Sequence, residues 1–135
     1  MFLARHFSSE VNKAQAVSGN AHQEATIFDK ILAKEIPADI VYEDDQALAF
    51  RDVAPQAPTH ILVIPKLRIS MLEHMQPDDK QLVGHCMWVA SQVAAQQNLT
   101  EGYRVVINNG KQGCQSVYHL HLHLLGGKQL GWPPC

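Results

Sequence analysis

Cysteine is scarce in this chain: Cys86, Cys114 and Cys135 are the only three in 135 residues, odd in number and irregularly spaced. That speaks against a disulfide framework and suits a reducing compartment. No CxxC pair is present to hold a structural zinc, and no HExxH to hold a catalytic one. Charge is sparse and nearly balanced, 11 Lys and Arg against 13 Asp and Glu, for a net charge of −2. With a pI of about 6.4, the chain offers no broad basic surface for nucleic acid or anionic lipid. No apolar run approaches the ~18 residues of a membrane span. Internal repeats and low-complexity tracts are missing too. What the length does allow is one compact domain, with little room for a second.

Residues 1–25 are polar, carry Ser8, Ser9, Ser18, Gly19 and Asn20, and keep no steady period. We expect a mobile tail there and a single domain over 26–135. Met1 to Ser9 mixes apolar residues, an arginine and serines in a way faintly similar to a mitochondrial presequence. Glu10 and the scarcity of further arginines favour a cytoplasmic, or also nuclear, protein instead. Thr26 followed three residues later by Asp29 reads as a capping box that opens a short helix through Ala33. Strands are predicted at Ile40–Tyr42, Ala47–Arg51 and His60–Ile64, separated by Asp44-Asp45 and by a proline-rich turn from Ala54. From Pro77 a longer helix sets Leu82, Val83, Cys86, Val89, Ala90, Val93 and Ala94 at i, i+3, i+4 spacing. A strand at Tyr103–Asn108, a polar loop and a last strand complete an α+β fold. Its expected form is an antiparallel five-stranded meander sheet with one short and one long helix.

The chemistry concentrates in that last strand, which reads Tyr118-His-Leu-His-Leu-His-Leu124. Alternation puts His119, His121 and His123 on one face and Leu120, Leu122 and Leu124 on the other. A single histidine on a strand is an ordinary polar residue; three in register forgo apolar burial that leucines would supply. Crowded imidazoles resist protonation, so at least one ring should be neutral near pH 7. A neutral imidazole can be a nucleophile, a general base or a metal ligand. The outer pair lies about 13 Å apart at Cα, from about 3.3 Å per residue. One metal could use two of the three and would need further ligands from elsewhere, which leaves metal binding open as the second reading.

Just before this strand, Asn108-Asn-Gly-Lys-Gln-Gly-Cys-Gln-Ser116 is a glycine-containing polar loop between apolar runs. Such a loop can be no more than a turn. It can also direct several backbone N–H groups to one point and bind an anion. No Walker spacing follows it. Beside a row of imidazoles, a phosphate-sized pocket is the better reading.

The segment His119-Leu-His-Leu-His-Leu-Leu125 resembles the signature of the histidine triad (HIT) superfamily. Thr26-Ile-Phe-Asp-Lys-Ile-Leu, Thr59-His-Ile-Leu-Val-Ile-Pro-Lys, Gln115-Ser-Val-Tyr-His and the ending Gly131-Trp-Pro-Pro are similar to its Hint branch. The resemblance runs from about Thr26 to the C-terminus. It implies a purine nucleoside phosphoramidase that cleaves the P–N bond of nucleoside monophosphate amine adducts, aminoacyl-adenylate-like ones included, through a nucleotidyl-histidine. His121 would be the nucleophile, flanked by His119 and His123 and backed by His60. Asn108, Gln115 and Ser116 would contact phosphate, and Asp52 the ribose hydroxyls. Ile27, Phe28, Ile31 and Phe50 would wall the base, although periodicity alone makes them core. The resemblance implies no cofactor and no metal. Its expected partners are purine nucleoside monophosphates and a second copy in a homodimer, with neither nucleic acid nor membrane. A nucleotide-binding interaction protein with incidental hydrolysis, and a zinc-dependent hydrolase, are the alternatives. Cys114 stands where the branch commonly has a small residue, Arg68 where it often has histidine, and Cys135 in place of a terminal glycine. We expect Arg68 to be a surface change.

Overall fold

A computed structural model describes residues 9–17 and 24–135. The amino-terminal segment read as mobile lies largely outside them, including all of Met1 to Ser9 except Ser9; within it, Ser9–Ala16 form helix α1 with Ala14 buried. Helix α2, Ile27–Leu32, has the expected capping box: Thr26 Oγ1 accepts from the amides of Phe28 and Asp29, and Asp29 Oδ2 accepts from the Thr26 amide. Six residues make a marginal helix alone, so the cap and the burial of Phe28 and Ile31 sustain it.

Strands β1 (Ile40–Glu43), β2 (Ala47–Arg51) and β3 (Thr59–Pro65) run as an antiparallel meander. Asp44 makes the first turn, its Oδ1 accepting from the amides of Gln46 and Ala47 at 2.8 Å each. The long helix starts as a 3-10 turn at Pro77–Asp79 and becomes α3 over Lys80–Gln96. It carries the chain across the sheet to β4 (Tyr103–Val106), and β5 (Leu122–Gly126) returns between β3 and β4. The α+β class and the five antiparallel strands hold, but the order is β1-β2-β3-β5-β4, so the meander ends at β3. The fourth strand is shorter than predicted because the chain leaves the ladder after Val106 to build the loop.

Both sheet faces are covered. Ala47, Ala49, Ile61, Val63, Leu122 and Leu124 pack under α3 against Cys86, Val89, Ala90, Val93 and Ala94. Leu48, Phe50, Leu62 and Ile64 face α2 and meet Phe28 and Ile31. Two-sided burial explains why β2 and β3 read as continuous apolar runs rather than as alternation. Among the described residues no helix is long and apolar enough to cross a membrane.

Candidate active site

The triad sits where the chain enters β5. Pairing begins only at Leu122, so His119 and His121 precede the strand that the alternation predicts for all three. The alternation itself survives: Leu120, Leu122 and Leu124 are all in the core under α3. A hydrogen bond from the Leu120 amide to Ile69 O, 2.6 Å, fixes the unpaired stretch.

Each ring has its tautomer set by its neighbours. His121 Nδ1 lies 2.7 Å from His119 O. A carbonyl only accepts, so Nδ1 carries the proton and Nε2 keeps a lone pair. Behind it, the Gln56 amide donates to His60 Nδ1 at 3.0 Å, which places the His60 proton on Nε2. That proton is donated to His123 Nδ1 at 2.9 Å, and the His123 proton is thereby left on Nε2, an atom without a partner among the described residues. His119 is fully buried and donates through Nε2 to Pro65 O at 2.7 Å. The Phe28 ring meets both His119 and His121 in T-shaped contacts, with centroids 5.8 and 5.1 Å away.

Burial is the leading reason that His60, His119, His121 and His123 all hold their protons more weakly than a free imidazole. For His123 the charges that His121 and His60 would carry add to it, and its pKa falls to about 4. All four rings are therefore neutral at pH 7, as the crowding argument expects for at least one.

A cavity of about 420 Å³ opens beside these rings. His121, His123, Asp52, Ser116, Ile27, Phe28, Ile31 and Phe50 are on its wall. The other four residues singled out in the sequence are not. His119 and His60 stand behind the wall, tied to Pro65 O and to His123. The Gln115 side chain, 1% exposed, is spent inside the loop: Nε2 donates to Ser70 O and Val117 O, and Oε1 accepts from the Gly110 amide. Asn108 is half-buried in the same loop. Asp52 Oδ1 accepts from the Ala54 amide at 2.8 Å, so this carboxylate caps its turn as well as facing the cavity. The wall also includes Leu62, Ile36, Val53 and Val117, and Glu10 and Lys13 of α1. Leu62 was findable in principle, since the β2–β3 register pairs it with Phe50. Nothing in the composition of residues 9–16 points to the cavity. A larger hollow of about 520 Å³ lies between residues 98–104 and 127–130, with no histidine on its wall.

Arg68 is not a surface change. Its side chain is 22% exposed, with Nε donating to Tyr118 O and a 3.4 Å ion pair to Asp29, and it braces the start of the triad segment against α2. Cys114 adopts φ +69°, a left-handed conformation that only a glycine takes without a steric cost.

Asp52, His60 and His123 could in principle ligate one cation, their ligand atoms lying within 4.8 Å of one another. The donor set fits poorly. A metal on His60 Nε2 would drive that ring's proton to Nδ1, where the Gln56 amide already donates. Metal-bound histidines ordinarily give their second N–H to an acceptor. This arrangement holds a proton between the two rings rather than a cation.

Comparison with known proteins agrees with this architecture. The HIT domain family model matches residues 33–130. An uncharacterized HIT-like protein of Synechococcus elongatus is 62% identical over 111 residues, 82% of this chain and 97% of that protein. Adenylylsulfatase HINT1 of Arabidopsis thaliana is 48% identical over 139 residues, covering 98% of this chain and 95% of its own. Among solved structures, a HIT family hydrolase from Legionella pneumophila superposes with a TM-score of 0.80 at 48% identity, over 82% of this chain and all of that one. The chain belongs to the HIT domain family, and to its Hint-type members.

Proposed function

We propose that this protein is a purine nucleoside phosphoramidase that works through a nucleotidyl-histidine. The observation that carries the reading is the state of His121: neutral, with Nδ1–H held by His119 O and the lone pair kept on Nε2, on the wall of a cavity. A relative named an adenylylsulfatase and a neighbour titled a hydrolase support hydrolysis of a nucleotide as the reaction class.

The chemistry divides into two displacements. His121 Nε2 attacks the α-phosphorus, the P–N bond breaks, and the amine leaves after its nitrogen takes a proton from solvent. Water then attacks the same phosphorus, the bond to Nε2 breaks, the nucleoside monophosphate departs and a proton returns to solvent. A neutral imidazole performs the attack without an activating ion. His123 Nε2–H is the donor best placed to stabilise charge at the reacting centre, and the Ser116 hydroxyl on the wall serves a non-bridging oxygen. Asp52 meets the ribose, and Ile27, Phe28, Ile31, Phe50 and Leu62 enclose the base. Gln115 and Asn108 shape the loop, while His119 and His60 orient the reacting rings. Homodimer formation belongs to the same reading, supported by the edge position of β4 and the exposure of Tyr103, Met87 and Trp88.

The test is incubation with an adenosine phosphoramidate, followed by turnover and by intact mass after acid-free quenching. Wild type should turn over and show an AMP adduct. His121→Ala should lose both, with turnover down by about 10³-fold or more, as expected when a nucleophile is removed. Undiminished turnover in His121→Ala would overturn the reading.

A further inference from the structure

Helix α1 ends its first turn against the candidate site. The Ser116 hydroxyl donates to Glu10 Oε2 at 2.7 Å, and Glu10 Oε1 pairs with Lys13 Nζ at 3.0 Å. Both residues stand on the cavity wall with His121, His123 and Asp52. Burial of Ala14 shows that the helix packs on the protein rather than projecting from it. Burial works to raise the Glu10 pKa, but the Ser116 and Lys13 contacts outweigh it and hold the acid below the ordinary range. The group facing the cavity is therefore an ionised carboxylate.

A hydroxyl has one proton to give. While Ser116 gives it to Glu10, it cannot give it to a phosphate oxygen. A phosphate arriving at the same hydroxyl would also meet the Glu10 charge at hydrogen-bond range, where two anions repel. We propose that α1 is a built-in competitor for the nucleotide site, its Glu10 carboxylate holding the Ser116 locus so that α1 and a phosphate-bearing ligand exclude one another. The inference rests on reading the cavity as a nucleotide site. It goes beyond that reading in making substrate affinity depend on a helix outside the matched domain.

The experiment uses the full chain and AMP as the probe. Glu10→Ala and Glu10→Gln are compared with wild type by calorimetric AMP affinity and by KM and kcat for an adenosine phosphoramidate. A hydrogen bond to a charged group, discounted for the partial exposure of Glu10, corresponds to about a three- to tenfold gain in AMP affinity. KM should fall by a similar factor, with kcat within about twofold. Hydrogen exchange adds an independent readout: saturating AMP should speed exchange in residues 9–16 of the wild type. Unchanged or weaker AMP binding in both variants, or AMP protecting residues 9–16, overturns the competition and leaves the nucleotide reading standing. Absence of AMP binding and turnover in wild type and variants alike overturns both.

Discussion

His60 and His123 are hydrogen-bonded at 2.9 Å although they do not face each other in the β3–β5 ladder. His60 is opposite Leu125 and His123 is opposite Leu62, so the two rings meet on a diagonal. The Gln56 amide then makes this diagonal directional by capping His60 Nδ1. On the proposed reading His60 is a positioning residue, and what it positions is the proton on His123.

That role has a testable form. His60→Ala should lower kcat/KM for an adenosine phosphoramidate by roughly ten- to a hundredfold, the usual effect of losing the partner that fixes a working histidine. His60→Gln places an amide N–H near the former Nε2 and should recover most of the loss, although it forfeits the Gln56 contact. A merely structural role predicts the reverse, with stability restored and activity still low. Steady-state kinetics beside thermal melts separate the two.

Only part of this fold and site was legible in the residues alone. The capping box at Thr26, the helix face from Leu82 to Ala94 and the alternation through Leu124 were legible because each is local and periodic. The insertion of β5 between β3 and β4 was not, because nothing local distinguishes a strand that closes a meander from one that turns back inside it. In the site, the wall residues Ile27, Phe28, Ile31 and Phe50 read as core by period, and in part they are: Phe28 and Phe50 are each 4% exposed. One side chain can fill a core and still line a cavity, and only tertiary packing shows which atoms face it. Glu10 and Lys13 carried no signal, since α1 reaches the cavity from a segment with no pattern that ties it there.

The four imidazoles also set an acid dependence. Each is harder to protonate in the folded chain than in the unfolded one, chiefly through burial, and His123 falls to about 4. Between the unfolded value of about 6.5 and these lower values, the unfolded chain binds more protons, so acid favours unfolding. The stabilising contribution is complete above about pH 6.5 and is lost as pH falls towards 4. Asp44, also held well below its ordinary range by Tyr42, His85 and backbone amides against the opposing effect of burial, adds the same sign further down. Melting temperature should drop by roughly 5–10 °C between about pH 7.5 and pH 5. With His121 as the proposed nucleophile, the acid limb of kcat/KM should lie below pH ~6.5, because that ring must be neutral to attack. A limb at or above that value would contradict the burial argument.

Gln115 separates a loop-building role from a ligand-binding one. Its side chain satisfies Ser70 O, Val117 O and the Gly110 amide, tying the loop to the segment after β3. Gln115→Ala strands these buried groups, and the expected cost is about 2–4 kcal/mol, or roughly 8–15 °C in melting temperature. At a temperature where the variant stays folded, KM for the nucleotide substrate should change by no more than a few-fold, since no atom of Gln115 is on the cavity wall. Gln115→Glu sharpens the comparison. It keeps an acceptor for Gly110 but turns a negative oxygen towards two carbonyls, so it should be at least as unstable as the alanine variant. If Gln115 instead donated to phosphate, both variants would melt near wild type and raise KM about tenfold or more, the glutamate more steeply because it would repel the anion.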